Sequence, residues 1–147
     1  MKIPNQAQNP DVFENVSLKP YNTFWVEAQA SYFSNVKTIE QLQYLIEDTR
    51  FHDIPWLVLG GGSNVLFTAN QDGLVLENDI KGKEVIEETA DHVWLKAYSG
   101  ENWHQLVLYC VDRGWGGIEN LSLIPGKVGA APMQNIGAYG VELKDVF

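Results

Sequence analysis

The sequence predicts a mixed α/β protein, because two helical patterns alternate with short apolar runs and with loops that are dense in glycine. The chain has 147 residues, of which 45% are hydrophobic and 12% aromatic. A chain of this length and composition can bury a sizeable core, which excludes disorder as a general description.

The charge and cysteine content narrow the classes of partner. Ten basic and 19 acidic side chains give a formal net charge of −9, which argues against a nucleic-acid partner, since phosphate binding depends on clustered Lys and Arg. No apolar run reaches the roughly 20 residues that a membrane helix needs, so no membrane partner is expected. The single cysteine, Cys110, cannot form an internal disulfide, which fits a cytoplasmic location.

The first half of the chain is expected to contain one helix and two strands. Residues 1–16 predict a flexible lead, and Thr38 with Gln41 resembles a capping box that opens a helix stopped by Pro55. Residues 56–59 predict a strand buried on both faces, and residues 74–76 a second strand.

The second half is expected to repeat strand and helix. The charged residues 79–88 are interpreted as a separator between two lobes, residues 17–80 and 81–147. Residues 93–98 predict a strand, and an apolar stripe that begins at Trp103 predicts a helix that ends near Gly114. Cys110 lies on that stripe, so it is interpreted as a buried structural thiol.

The glycine loop that follows residues 56–59 is the first candidate site. Successive glycines expose backbone N–H groups that can donate to phosphate oxygens, and Ser and Asn add side-chain donors. A plain tight turn explains the same residues equally well, because short glycine motifs also occur by chance. The candidate residues are Gly60, Gly61, Gly62, Ser63 and Asn64.

A second candidate segment covers residues 124–140. Its small residues would let a ring system lie flat against the backbone, and its amides offer donors and acceptors. Connecting loops gather the same residue types, so that alternative stays open. His52, His92 and His104 lie too far apart in the sequence to suggest a metal site.

Five segments, taken together, carry a family resemblance. They are residues 18–24 (LKPYNTF), 59–66 (LGGGSNVL), 100–104 (GENWH), 117–126 (GIENLSLIPG) and 134–142 (QNIGAYGVE). In this order they resemble the MurB family of UDP-N-acetylenolpyruvoylglucosamine reductases, from about residue 17 to the end of the chain. Trp25 departs from the family pattern, in which glycine is common at that position.

The resemblance implies a flavoenzyme of peptidoglycan synthesis with the two-lobed FAD-binding fold of the vanillyl-alcohol-oxidase type, its second lobe incomplete here. In that family NADPH reduces FAD, and the flavin passes hydride to UDP-N-acetylglucosamine enolpyruvate, which gives UDP-N-acetylmuramate. Gly60, Gly61, Gly62, Ser63 and Asn64 would hold the FAD pyrophosphate. The residues expected to line the flavin and its phosphates are Pro125, Gly126, Val128, Gly129, Gln134, Asn135, Gly137, Ala138 and Tyr139.

The resemblance places no catalytic residue within residues 1–147. The family's catalytic arginine, its proton-donating serine, a late glutamate and its substrate domain would all follow Phe147, so the chain is expected to be a piece of a longer enzyme and inactive by itself. The alternative function is a flavin- or nucleotide-binding module, or an inactive truncated remnant, without turnover of its own.

Overall fold

Two units make up the chain in the computed structural model, which describes residues 9–147: one ends at Ile80, and the other is Lys81–Phe147. The described part of the first unit contains β1 (Phe13–Ser17), β2 (Gln29–Val36), α1 (Ile39–Glu47), β3 (Trp56–Leu59) and β4 (Gln71–Asn78). The second contains β5 (Lys83–Glu88), β6 (Val93–Ala97), α2 (Trp103–Val111), β7 (Gly137–Ala138) and β8 (Val141–Glu142). This mixture of helices and strands confirms the predicted fold class.

A four-stranded sheet in the order β1-β2-β4-β3 organises the first unit. β1 is antiparallel to β2, whereas β2 and β3 both run parallel to β4. Leu74, Val75 and Leu76 of the central strand β4 are buried. The prediction that residues 56–59 are buried on both faces is wrong, because β3 lies at the sheet edge and Val58 is 62% exposed.

The start of the chain is more regular than the predicted lead of residues 1–16. Residues 13–16 belong to β1 and pair with β2, so they are not part of a flexible segment. Residues 1–8 lie outside the described part of the chain. β2 was not predicted, since its polar residues break the apolar pattern; one of them, the buried Ser34, donates its hydroxyl to the Asp11 carbonyl at 2.9 Å.

Helix α1 begins as predicted but ends for another reason. Thr38 Oγ1 accepts from the Gln41 N–H at 3.2 Å, and Gln41 Oε1 accepts from the N–H of Lys37, one residue before the cap. The helix ends at Glu47, well before Pro55. There the Asp48 side chain accepts from the Arg50 N–H at 3.0 Å and opens a 3₁₀ turn.

The second unit packs α2 and its loops around one core. The charged residues 83–88, part of the stretch interpreted as a separator, form β5 and pair with β6. The Asn102 side chain caps α2, and Gly114 has a φ of +72° just beyond the helix, as predicted for a terminating glycine. Burial raises the pKa of the Cys110 thiol, which fits its structural interpretation. The buried core residues are Trp103, Leu106, Val107, Cys110, Leu121, Ala131 and Ile136.

Membrane-spanning helices were sought within residues 9–147, and none of the helices there has the length and apolar character to cross a bilayer.

Candidate functional site

The glycine loop leaves the edge strand β3 and packs on the turn at residues 19–22. Gly62 is buried and has a φ of +63°, a conformation that side chains rarely adopt. A Cβ at this position would lie 1.9 Å from the Tyr21 carbonyl oxygen. Gly62 is therefore required by packing inside the first unit, whatever the loop binds.

Thr23 fixes the direction of the loop's peptide groups. Its N–H donates to the Gly62 carbonyl at 3.1 Å, and its hydroxyl donates to the Ser63 carbonyl at 3.2 Å. C=O and N–H point in opposite directions across a trans peptide, and no peptide bond among the described residues is cis. The N–H groups of Ser63 and Asn64 therefore point away from Thr23.

These donors remain available to a ligand. Within residues 9–147, the N–H groups of Ser63 and Asn64, like those of Gly61 and Gly62, make no hydrogen bond to another residue. Gly61 and Asn64 are exposed. Consecutive free N–H groups form the kind of concave site that binds phosphate oxygens, so the loop fits the pyrophosphate of a dinucleotide.

Asn22 holds the segment that carries Thr23. Its side chain is buried and donates to the carbonyls of Leu18 at 2.8 Å and Val26 at 3.0 Å, while its Oδ1 accepts from the Val26 N–H at 3.1 Å. Sequence reasoning missed both Asn22 and Thr23 as site residues. The available signal was an Asn-Thr pair in a motif shared with the resembled family.

The second candidate segment is braced by residues just before and within α2. The N–H of Trp103 donates to the Gly126 carbonyl at 3.1 Å, and the Val128 N–H donates to the Glu101 carbonyl at 2.8 Å. The Gly129 N–H donates to the Ser99 carbonyl, and a Cβ at Gly129 would lie 2.6 Å from the Ser99 Cβ. Packing thus requires glycine at 129 as it does at 62.

A partly buried ion pair holds Glu101, and with it these backbone contacts, in place. The Glu101 carboxylate bonds Lys83 Nζ at 2.5 Å and accepts from the Gly82 N–H at 2.8 Å. Burial by itself would raise the pKa of Glu101, but the hydrogen bonds from Lys83 and Gly82 outweigh burial and lower that pKa below its ordinary value. Glu101 is therefore an anion that joins the start of β5 to the loop after β6.

The predicted residues of the second unit differ in exposure. Val128 and Ala138 pack against the core, so they are partly structural. Tyr139, at the tip of the β7–β8 hairpin, is 90% exposed and has a φ of +53°, and Asn135 is exposed with a φ of +49°. Gly126 and Gln134 are half-buried, and the exposed remainder comprises Pro125, Gly129 and Gly137.

The fourteen predicted site residues thus fall into two groups. The structure places residues 60–64 in the first unit and the other nine residues in the second. Among residues 9–147, no group of three His, Cys, Asp or Glu side chains is placed to hold a metal ion.

When the chain is compared with known proteins, its matches fall in one family. The family model described as "FAD binding domain" matches residues 30–147. The chain is 53% identical over 137 residues to the UDP-N-acetylenolpyruvoylglucosamine reductase of Amoebophilus asiaticus, covering 93% of the chain and 40% of that relative. It is 49% identical over 134 residues to the reductase of Pseudomonas putida, covering 91% of the chain and 40% of that relative.

A solved structure has a similar fold. The crystal structure of UDP-N-acetylenolpyruvylglucosamine reductase (MurB) from Thermus caldophilus matches with a TM-score of 0.69 and 28% identity, covering 92% of this chain and 46% of that one. These matches confirm the resemblance drawn from the five motifs. The chain spans about 40% of the length of the curated relatives it matches.

Proposed function

Since the chain belongs to the family of FAD-binding domains, we propose that residues 60–64 bind the pyrophosphate of FAD and that the glycine-rich segment of the second unit lines its flavin. The observation that carries the proposal is the orientation of the glycine loop. Two of its carbonyls are bound to Thr23, so the following N–H groups point outward, where phosphate oxygens can accept from them.

The second segment supplies a different kind of contact. Gly129 and Gly137 are exposed and have no side chain, so the backbone there can approach a flat ring closely, and the exposed Pro125 offers an apolar surface. The half-buried Gln134 and the exposed Asn135 offer amide donors and acceptors for the polar edge of a flavin. The remaining residues of the proposed lining are Gly126, Val128, Ala138 and Tyr139.

The activity of the whole protein is proposed from its relatives. Relatives that share about half of their aligned residues with this chain are named as UDP-N-acetylenolpyruvoylglucosamine reductases. The chemistry that FAD supplies when bound is hydride transfer from NADPH to the enolpyruvyl double bond of UDP-N-acetylglucosamine enolpyruvate. The product is UDP-N-acetylmuramate, and the reaction serves peptidoglycan synthesis in the cytoplasm. The chain's own part is to bind and orient the cofactor.

A charge placed in the glycine loop tests the proposal. Gly62→Asp is unsuitable, because a side chain there would collide with Tyr21. Gly61 is exposed and its φ lies outside the positive region, so Gly61→Asp adds a carboxylate at an exposed position without backbone strain. Two like charges about 4 Å apart repel by about 1 kcal/mol in water and about 4 kcal/mol near a protein surface. We expect FAD affinity to fall at least about fivefold.

The matched control is Gly61→Asn, which has nearly the same shape without the charge. Both variants are made in the protein expressed from the complete natural reading frame, and FAD affinity is measured by quenching of flavin fluorescence. Equal affinity in Gly61→Asp and Gly61→Asn would contradict the pyrophosphate assignment. The proposed function would be contradicted if the unsubstituted protein did not bind FAD. It would also be contradicted if adding the enolpyruvyl substrate did not start NADPH oxidation.

A further inference from the structure

Leu123, like Trp25 and Tyr139, combines a positive φ with an exposed, largely apolar side chain, and of the three it is the aliphatic one. Its φ is +63°, a region that residues with a Cβ rarely occupy, and its side chain is 77% exposed. Its neighbours differ from it: Leu121 is fully buried, and Ile124 packs against the core of the second unit. The apolar side chain of Leu123 is thus exposed to solvent, and its strained backbone lies between Leu121 and Ile124, which pack in the core.

The first turn of α2 holds this conformation in place. Trp103 Nε1 donates to the Leu121 carbonyl at 2.8 Å, and the Leu123 N–H donates to His104 Nδ1 at 3.3 Å. Because a backbone N–H can only donate, Nδ1 of His104 is the acceptor, and the proton of the neutral imidazole lies on Nε2. The Ser122 hydroxyl, 3.0 Å from the same nitrogen, also donates to it.

Strain that surrounding contacts maintain is typical of ligand-binding positions. Leu123 comes two residues before Pro125 and three before Gly126, both of which belong to the proposed flavin lining. We infer that Leu123 is a further binding residue, whose side chain contacts the apolar benzenoid part of the flavin ring, and that His104 is its positioning residue. This inference rests on the proposed FAD binding.

The first test removes the side chain and the strain together. Glycine adopts a φ of +63° without steric cost, so Leu123→Gly should leave the free energy of unfolding unchanged or raised. The loss of one buried aliphatic contact should raise the Kd for FAD about tenfold. The matched control is Val111→Ala, which shortens another exposed aliphatic side chain of the second unit, 47% exposed on α2; its Kd should stay within about twofold of the unsubstituted value.

The second test asks whether His104 acts through Leu123. His104→Phe removes the acceptor and should also weaken FAD binding, whereas His104→Asn can place an oxygen near Nδ1 and should restore most of the affinity. If His104 acts by positioning, the double variant His104→Phe/Leu123→Gly should bind FAD no more weakly than Leu123→Gly alone. Kd for FAD and denaturant unfolding are measured for each variant of the protein from the complete reading frame.

The outcomes separate this inference from the proposed function. FAD binding by the unsubstituted protein together with a Leu123→Gly Kd within twofold of it would overturn the role of Leu123. Losses that multiply in the double variant would overturn the positioning role of His104. If the unsubstituted protein binds no FAD, the proposed function fails first, and the inference fails with it. Leu123→Gly and His104→Asn keep the test decisive if His104→Phe does not fold.

Discussion

Trp25 keeps a φ of +55° with its side chain 68% exposed. The contacts that hold this conformation come from Asn22. The Asn22 carbonyl accepts from the Trp25 N–H at 3.2 Å, and its side chain bonds both the N–H and the carbonyl of Val26. A residue with a Cβ pays about 1–2 kcal/mol for this conformation. Glycine, which is common at this position in the resembled family, would avoid that cost.

Trp25→Gly is therefore expected to raise the free energy of unfolding by about 0.5–1 kcal/mol, after allowance for the greater freedom of glycine in the unfolded chain. Urea unfolding monitored by circular dichroism measures the change. The matched control is Phe24→Gly, since Phe24 is also exposed but has no positive φ, and it should show no gain. A loss of more than about 1 kcal/mol in Trp25→Gly would show that the indole makes a stabilising contact instead.

At the scale of elements, one residue, Glu101, connects three segments of the second unit. Glu101 bonds Lys83 at the start of β5, while its backbone carbonyl accepts from the N–H of Val128 in the candidate segment. The Glu101 side chain is about 10% exposed and that of Lys83 about 23%, so solvent screens the pair only partly.

The lowered pKa of Glu101 gives a pH-dependent stability. A carboxyl group whose pKa is lower in the folded state stabilises fully above its unfolded pKa, and this contribution disappears as the pH falls through the folded pKa. Glu101→Gln should destabilise by about 1–3 kcal/mol at pH 7, because it leaves Lys83 without its anion. The difference from the unsubstituted protein should shrink below about pH 4.5, the ordinary value.

Chemical unfolding at several pH values between 7 and 3 measures this difference. Glu84→Gln is a suitable control, since Glu84 is an exposed carboxylate on the same strand, β5, beside Lys83. Parallel stability curves for Glu101→Gln and the unsubstituted protein across this range would contradict the assignment.

Local signals explain which elements were predictable. Each predicted element that formed depends on residues that are close together in the sequence. Examples are the cap at Thr38, the apolar run at residues 56–59 and the apolar stripe from Trp103. β2 was missed because its buried Ser34 is satisfied by Asp11, 23 residues earlier. The edge position of β3 likewise depends on pairing with a later strand.

In the candidate site, too, the local motifs could be predicted from the sequence and the nonlocal contacts could not. Glycine loops are visible in the sequence, whereas the contacts that orient them come from distant residues. Thr23 reaches Ser63 across 40 positions, and His104 reaches Leu123 across 19. The close approaches of Tyr21 to Gly62 and of Ser99 to Gly129 are also nonlocal, so packing and ligand binding could not be separated from sequence alone.

At the scale of the whole molecule, residues 1–147 alone are expected to bind FAD weakly and to show no turnover. The chain spans about 40% of the length of its curated relatives. If it supplies only part of the contacts to a large ligand, the entropic cost of binding remains while the favourable contacts fall. No proton donor is proposed among residues 1–147, and the proposed hydride transfer to the substrate needs a proton.

Fluorescence titration with FAD and NADPH absorbance, with and without the enolpyruvyl substrate, compare the 147-residue chain with the product of the complete reading frame. Submicromolar FAD binding and substrate-dependent NADPH oxidation by the 147-residue chain would show that it is a complete enzyme and that catalytic residues were missed within it.

The order of the first sheet also bears on how the protein is synthesised. β4 is the last of its four strands to leave the ribosome, yet it lies in the middle of the sheet, between β2 and β3. Both β2 and β3 pair with β4, so neither has this partner until residues 71–78 have emerged. Until then β3, which precedes the glycine loop, is unpaired. Unpaired strand edges of a nascent chain favour aggregation. In the interval between synthesis of β3 and of β4, both β3 and one edge of β2 are therefore open to pairing with another chain.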